Sequence, residues 1–228
     1  MSIREISVQP SFLENADGSV LYSSGRTRVL CAATIEAGAP PWRGDKLGWL
    51  TAEYSMLPYS TRPRNSRDRD GVPGRTREIQ RLIGRALRAS LDFARIPGYT
   101  IRIDCDVVAA DGGTRTAAIS GGSIALGLAI QRALEDGRFM EDPRIALIVA
   151  ISAGIVKGEA VLDLDYVNDS AADLDLNIVG TPSGELVEIQ GSSESTPIAI
   201  ERWGELIELA RDGLREVGDV VTQHTPSF

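Results

Sequence analysis

The stretch that most constrains the fold lies between Thr100 and Leu134. From Thr100 to Ala109 apolar and polar residues alternate, with Ile101, Ile103, Cys105 and Val107 on one side and Arg102, Asp104 and Asp106 on the other. A period of two marks a strand buried on one face. Asp111-Gly112-Gly113-Thr114-Arg115 then forms a glycine-rich turn, and Ala117 to Leu134 is a helix of small and apolar residues closed by Asp136-Gly137. A one-sided strand feeding such a helix requires helices packed against a sheet.

The rest of the chain repeats that theme. Gly18–Tyr22 and Thr27–Thr34 read as strands joined by a hairpin at Ser24-Gly25, and Leu47–Leu57 as a strand ending at Pro58. Tyr59 to Gly74 is polar and rich in Arg, Pro and Gly, the composition of a mobile loop. Ile79, Leu82, Ile83, Ala86, Leu87 and Leu91 recur at helical spacing, with Arg77, Arg81, Arg85 and Arg88 on another face. Strands are predicted over Ile145–Val156, Ala160–Val167, Asp175–Val179 and Leu186–Gln190. A last helix starts at Thr196-Pro197 and carries Ile200, Trp203, Leu206, Ile207, Ala210 and Leu214 on its apolar face. No linker divides the 228 residues, so the expectation is one α+β domain, 1–228, of mixed sheets with packed helices, fraying after about residue 223.

Composition excludes several classes. No run of 18 apolar residues occurs and the first residues are polar, so neither a membrane span nor a secretory leader is expected and the location read from the sequence is cytoplasmic. Cys31 and Cys105 sit in apolar, strand-like surroundings and are expected as reduced core thiols. His224 is the one histidine, which removes histidine general-base and His-rich zinc chemistry. The formal net charge is −8, yet Arg62, Arg64, Arg67, Arg69, Arg75, Arg77, Arg81, Arg85 and Arg88 fall between Pro58 and Arg88, opposed by Asp68, Asp70 and Glu78. Local basic density matters more to a polyanion than the sum over the chain.

Three segments carry candidate chemistry. In Asp111-Gly112-Gly113-Thr114-Arg115-Thr116, glycines allow close approach of a ligand and the following helix start turns amides toward it; the bland alternative is a tight turn with a capping Thr. In Gly74-Arg75-Thr76-Arg77, Arg75 stands at a second helix start, where Thr76 could cap; a solvated basic face is the alternative. Asp163 to Asp175 is strongly acidic, and Asp175 lies between Leu174 and Leu176, where a carboxylate is costly unless paired or bound to a divalent cation; the alternative is an acidic turn. Two phosphate-seeking arginines and a carboxylate cluster, without a Ser-His or Cys-His set, point to metal-assisted phosphoryl chemistry. The residues alone leave open whether the substrate is RNA or a small phosphorylated molecule.

At these positions the chain resembles the ribonuclease PH family over nearly its whole length, from about Ile3 to about Val221. The matching segments are Gly48-Trp49-Leu50-Thr51-Ala52-Glu53-Tyr54-Ser55-Met56-Leu57-Pro58, Gly74-Arg75-Thr76 with Glu78-Ile79-Gln80-Arg81-Leu82-Ile83-Gly84-Arg85, and Asp104-Cys105-Asp106-Val107 with Ala110-Asp111-Gly112-Gly113-Thr114-Arg115-Thr116-Ala117. Further matches are Leu162-Asp163-Leu164-Asp165-Tyr166, Asp169-Ser170-Ala171-Ala172 and Val187-Glu188-Ile189-Gln190-Gly191. The resemblance implies a ribosomal protein S5 domain 2-like fold and a homohexameric ring built as a trimer of dimers. It implies a phosphate-dependent 3′→5′ exoribonuclease acting on the 3′ ends of tRNA precursors and other RNA. Inorganic phosphate is the co-substrate, and nucleoside diphosphates are released. Carried over residue by residue, Arg75, Thr114 and Arg115 bind phosphate, Asp169 and Asp175 are the catalytic carboxylates that hold magnesium (or manganese), and Arg64 and Arg67 contact tRNA.

The chain departs from the family in places. Relatives normally carry an Arg-x-Asp-Gly-Arg stretch upstream of this chain's first residue, which bears on RNA contacts and edge packing there. Tyr59 stands where Arg is usual, Leu174 where Thr is usual, and Ser192-Ser193-Glu194-Ser195-Thr196-Pro197 replaces a more usual Thr-Ala-Glu-Gly-Glu-Pro. A catalytically inactive RNA-binding ring subunit and a hydrolytic nuclease are the competing readings. The five intact site residues argue against the first, and two arginine phosphate sites argue for phosphate over water as nucleophile.

Overall fold

A computed structural model describes residues 2–44, 46–67, 71–193 and 196–228. The first half contains β1 (Ile6–Pro10), β2 (Gly18–Ser24), β3 (Thr27–Ala37), β4 (Trp49–Met56), α1 (Gly74–Arg88), a 3-10 turn over Phe93–Arg95, β5 (Tyr99–Ala109) and α2 (Thr114–Glu135). The second half contains β6 (Val149–Val156), β7 (Glu159–Leu162), α3 (Tyr166–Ser170), β8 (Ala172–Gly180), β9 (Leu186–Ser193) and α4 (Ile200–His224). This is the α+β architecture expected. The first sheet runs β1-β2-β3-β5-β4, antiparallel except for the β4–β5 pair, and the second is an antiparallel β7-β6-β8-β9 sheet.

The alternation read in residues 100–109 is the pleat of β5. Ile101, Ile103, Cys105 and Val107 are buried, while Arg102 and Asp104 are exposed and Asp106 is half-buried. The β2–β3 hairpin closes through Gly25-Arg26, with Ser24 paired to Thr27 and Gly25 at φ +56°. The primed turns that suit strand twist in a two-residue connection demand such positive φ values. α2 packs on β2, β3 and β5 and reaches β6 of the second sheet. Ser120 Oγ accepts from the Ala150 amide there. Small residues make this approach feasible, since a Cβ at Gly121 would stand 2.8 Å from Cys31 Sγ and 2.9 Å from Tyr22 Cβ. α2 is the one described helix long and apolar enough to cross a membrane, but 78% of that apolar window is buried inside the fold, as a core helix requires. A single cluster of buried side chains joins both sheets. Cys31 and Cys105 are free and buried in it.

Four segments differ from expectation. The strand predicted over Ile145–Val156 begins at Val149, because the Ile145 amide donates to Ser90 O and Arg144 bridges to Leu91 beyond α1. The strand predicted over Ala160–Val167 ends at Leu162. Asp163 turns the chain at φ +55° and Asp165 then caps α3 by accepting from the Asn168 amide. The last helix starts at Ile200, which is 77% exposed and so leaves the apolar face; Leu206, Ala210, Leu214, Val217 and Val221 form the buried stripe. The tail expected to fray after about residue 223 is docked instead. Arg144 donates to Pro226 O and Ser227 O, and its guanidinium lies 4.8 Å from the Phe228 ring centre. In the Arg-rich loop, Asp68, Arg69 and Asp70 lie outside the described residues, as do Glu194 and Ser195 of the altered stretch before α4.

Candidate active site

Both helices of the first half begin at the same cavity. α1 starts at Gly74 behind Pro73, with no side-chain cap, so Thr76 lies inside the first turn and is not the cap that its position suggested. α2 starts at Thr114 behind Gly113, again with no side-chain cap. The first amides of an α-helix have no partner within it and carry partial positive charge. Here they stand beside Arg75, Thr114 and Arg115.

The cavity has two adjoining lobes of about 760 and 540 Å³. Arg75, Arg115, Asp169, Asp175 and Asn177 line both. Thr114 lines the smaller lobe with Gly112, Gly113 and Tyr166. The five site residues expected from sequence thus converge on one space. Arg75 and Arg115 form no ion pair among the described residues. Arg64 and Arg67 do not line the cavity; they are exposed on the loop whose Arg62, Pro63 and Asn65 form its outer wall.

The glycine turn is held from three sides. Gly112 has φ +75°, and a Cβ there would lie 2.5 Å from Leu164 O and 2.8 Å from the Tyr166 amide nitrogen. Only a glycine lets the two halves close at this point. Thr27 Oγ1 donates to Gly112 O at 2.6 Å and accepts from the Asp111 amide. Arg26 binds the Asp111 carboxylate with two nitrogens, largely in solvent. Arg4 enters from the start of the chain. Its backbone amide and one guanidinium nitrogen donate to Asp163, and the other terminal nitrogen donates to Asp111 O. Asp163 is 4% exposed at its side chain and Arg4 17%, so this is a buried pair.

These contacts divide the acidic run. Asp163 pairs with Arg4 and Asp165 caps α3, so both have structural work. Asp169 on α3 and Asp175 on β8 face the cavity. Among the described residues no three His, Cys, Asp or Glu side chains gather. A divalent ion held here would therefore lean on two carboxylates plus water and substrate oxygens, which is how Mg²⁺ is commonly bound. The donor set fits that ion.

Sequence reasoning missed Tyr54, Arg4 and Thr27. Tyr54 OH lies 2.9 Å from Thr114 Oγ1, placed there by the pleat of β4. Burial pushes the Tyr54 hydroxyl above its ordinary value; the Thr114 hydrogen bond and the nearby Arg75 and Arg115 charges pull it partly back. It stays protonated and can donate. The signal was present in the sequence, because Tyr54 shares its strand face with Leu50 and Ala52, and a buried tyrosine hydroxyl needs a partner. Arg4 gave no such signal, since its partner lies 159 residues away.

An anion cradle of two helix starts and two arginines facing two carboxylates brings together the kinds of group that phosphoryl transfer uses. Comparison with known proteins gives the family. The model of the 3′ exoribonuclease family, domain 1, matches residues 2–130, and that of domain 2 matches residues 146–213. The chain is 47% identical over 219 residues to ribonuclease PH of Neisseria gonorrhoeae, covering 95% of this chain and 90% of that one. Among solved structures, an Archaeoglobus fulgidus exosome with RNA bound to the active site superposes with a TM-score of 0.80 at 20% identity, covering 96% of this chain and 88% of that one. Rice (Oryza sativa) Rrp46 superposes with a TM-score of 0.78 at 20% identity, covering 97% and 94%. The chain belongs to the 3′ exoribonuclease family and has its RNase PH-like fold. Within the family it is of the ribonuclease PH type, as its sequence motifs indicated.

Proposed function

We propose that this ribonuclease PH-type chain shortens RNA from the 3′ end with inorganic phosphate as nucleophile, trimming tRNA precursors among its substrates. The carrying observation is the meeting of Arg75, Thr114 and Arg115 with Asp169 and Asp175 around one cavity. The amides at the start of α2, the Thr114 hydroxyl and the two guanidinium groups hold a phosphate ion. Charge-assisted bonds from planar Arg forks fix its orientation as well as its position. One phosphate oxygen attacks the phosphorus of the terminal phosphodiester. The new P–O bond forms as the bond to the preceding nucleotide's 3′ oxygen breaks, and the terminal nucleotide leaves as a nucleoside diphosphate. Positioning of this kind converts a bimolecular step into an effectively unimolecular one. Asp169 and Asp175 would hold a magnesium, or manganese, ion that, when bound, neutralises charge on the scissile phosphate and stabilises the departing 3′ oxygen.

Several finer features belong to the same proposal. The exposed Arg64 and Arg67 meet the tRNA body. The two family segments act as one domain, a reading supported by their shared core. Six copies assemble as a trimer of dimers, which sets the Arg-rich loops of several copies around one opening. The setting is the cytoplasm, where the free thiols of Cys31 and Cys105 suit a reducing environment.

Product analysis on a short 3′-tailed RNA with magnesium tests the reaction. Nucleoside diphosphates that appear only when phosphate is added are expected. Nucleoside monophosphates formed regardless of phosphate would make the chain a hydrolase, and no product would return it to a binding role.

A further inference from the structure

We infer that Asn177 reads the ribose 2′-hydroxyl beside the scissile bond and so favours RNA over DNA at the reacting end. The hydroxyl meant is that of the penultimate nucleotide, whose 3′ oxygen leaves. The inference rests on the reaction proposed above for the same cavity.

On β8, Leu174, Leu176 and Ile178 point into the core, and Asp175 and Asn177 alternate with them to face the cavity. Asn177 stands opposite Ser152 of β6 on one side and Gln190 of β9 on the other. The three form a polar row across the second sheet. Ser152 lines the smaller lobe and Gln190 the larger, and Asn177 between them lines both. The outer two are engaged with the chain. Ser152 Oγ accepts from the Leu164 amide, and Gln190 Nε2 donates to Glu188. The Asn177 carboxamide forms no hydrogen bond among the described residues, and the residue is only 7% exposed. Buried polar side chains are nearly always paired within the fold. One left open toward a cavity is available to what enters that cavity.

Chemistry narrows the ligand. Asn177 lies one pleat step, about 7 Å of strand, from Asp175. In the proposed reaction Asp175 serves the departing 3′ oxygen, and the 2′-hydroxyl sits on the neighbouring carbon of the same ribose. Hydroxyl and carboxamide match because each both donates and accepts. A phosphoryl oxygen only accepts, and the two helix starts with Arg75 and Arg115 already supply donors for it. Asn177 also brings no charge next to Asp175, so it leaves the attraction of the carboxylates for a cation intact.

The test is a double cycle on the full chain in its native assembly. Asn177→Leu, similar in size but without polar atoms, is compared with wild type on two short RNAs of one sequence. One is all-ribose, and the other lacks only the 2′-hydroxyl of the penultimate nucleotide. For wild type the missing hydroxyl should lower kcat/KM roughly 10- to 100-fold, because the buried amide loses its partner. Asn177→Leu should lower it by a similar factor on all-ribose RNA, and the deoxy change should then cost the variant less than about twofold. Effects of the deoxy change on sugar shape are common to both proteins and cancel in the cycle. Asn177→Ser, which keeps a donor and an acceptor, should regain part of the loss. If Asn177→Leu does not fold, Asn177→Ala takes its place. A deoxy penalty equal in both proteins overturns the inference and gives the amide to a phosphoryl oxygen. Coupling confined to the 2′-hydroxyl of the terminal nucleotide, probed with a third RNA, overturns it as well. If wild type releases no nucleoside diphosphate, the proposed reaction fails. The same cycle, read from binding of the labelled RNAs without phosphate, then decides the role of Asn177 separately: coupling at the penultimate hydroxyl upholds it, and additive losses overturn it.

Discussion

The two halves of the chain bring opposite charge to one cavity by different structural means. The first half places Arg75, Thr114 and Arg115 in the first turns of two helices that lack side-chain caps. Its positive character is therefore permanent, built from amides and guanidinium groups that exist before any ligand arrives. The second half places Asp169 in a five-residue helix and Asp175 in β8, and uses Asp163 and Asp165 of the same acidic run to brace that arrangement. The difference teaches that, under the proposed reaction, binding of the attacking phosphate and handling of charge in the transition state would be divided between halves, and mutations should separate them.

The largest effect is expected on the acidic side. Asp175→Asn should lower kcat by about 1000-fold or more, the scale reached when a transition-state charge partner is removed. Phosphate KM and the assembly should hardly change. Steady-state kinetics with phosphate and RNA varied separately check this. A rise in phosphate KM comparable to the fall in kcat would break the division of labour.

Next in size is the tie between the halves. Arg4→Ala leaves Asp163 buried without its cation, and breaking a buried pair from one side typically costs about 3–5 kcal/mol. Urea unfolding should show a loss near the lower bound, because Arg4 keeps some solvent contact. The Gly112–Gly113 turn is braced by the same side chain, so phosphate affinity should fall with stability. Unchanged stability would mean that the two halves are locked by packing alone.

On the basic side, Arg115→Ala removes one charge-assisted donor set, worth about 1.5–3 kcal/mol. Phosphate KM should rise roughly 10- to 100-fold, with a smaller fall in kcat. Tyr54→Phe should act in the same direction but more weakly. Without the Tyr54 hydroxyl, Thr114 loses the donor that directs its own proton toward the phosphate. A single neutral hydrogen bond contributes about 0.5–1.5 kcal/mol, so a phosphate KM raised roughly 3- to 10-fold is expected. If Tyr54→Phe changed RNA affinity and left phosphate KM alone, Thr114 would belong to the RNA side of the cavity.

Much of this arrangement is legible in the sequence, and the failures have common causes. β5, the glycine turn and α2 were legible because period, turn residues and helix composition agree over consecutive residues. All five cavity residues lie in short motifs whose chemistry is local. Tyr166 and Val167 read as strand because Leu162, Leu164 and Tyr166 alternate with acids. The break is made by Asp163 at φ +55° and by the Asp165 cap, a signal that spans only three residues. The docking of the C-terminal residues on Arg144 and the pairing of Arg4 with Asp163 depend on contacts between residues far apart in sequence, which no local pattern encodes. The cavity's two-sided charge was therefore readable as parts, and the brace that aligns the parts was not.

The smallest predicted effect sharpens the comparison, because the basic half has acids of its own. Asp104 lies on the face of β5 turned away from the core, beside Glu53 of β4. Burial, then the charges of Glu53 and Asp106, raise the Asp104 carboxyl above its ordinary value, and Arg102 offsets only part of this. For an acid whose value is raised on folding, ionisation penalises the folded state. The penalty is fully present above the raised value and disappears as pH falls below the unfolded one. Asp104→Asn should therefore stabilise the protein near neutral pH by about 0.5 kcal/mol, the scale of a like-charge neighbour pair screened by solvent. The advantage should vanish as pH falls toward about 4. Thermal unfolding of both proteins across that range checks the sign. A variant less stable at neutral pH would show that this outer face of the first half needs its negative charge to hold the fold.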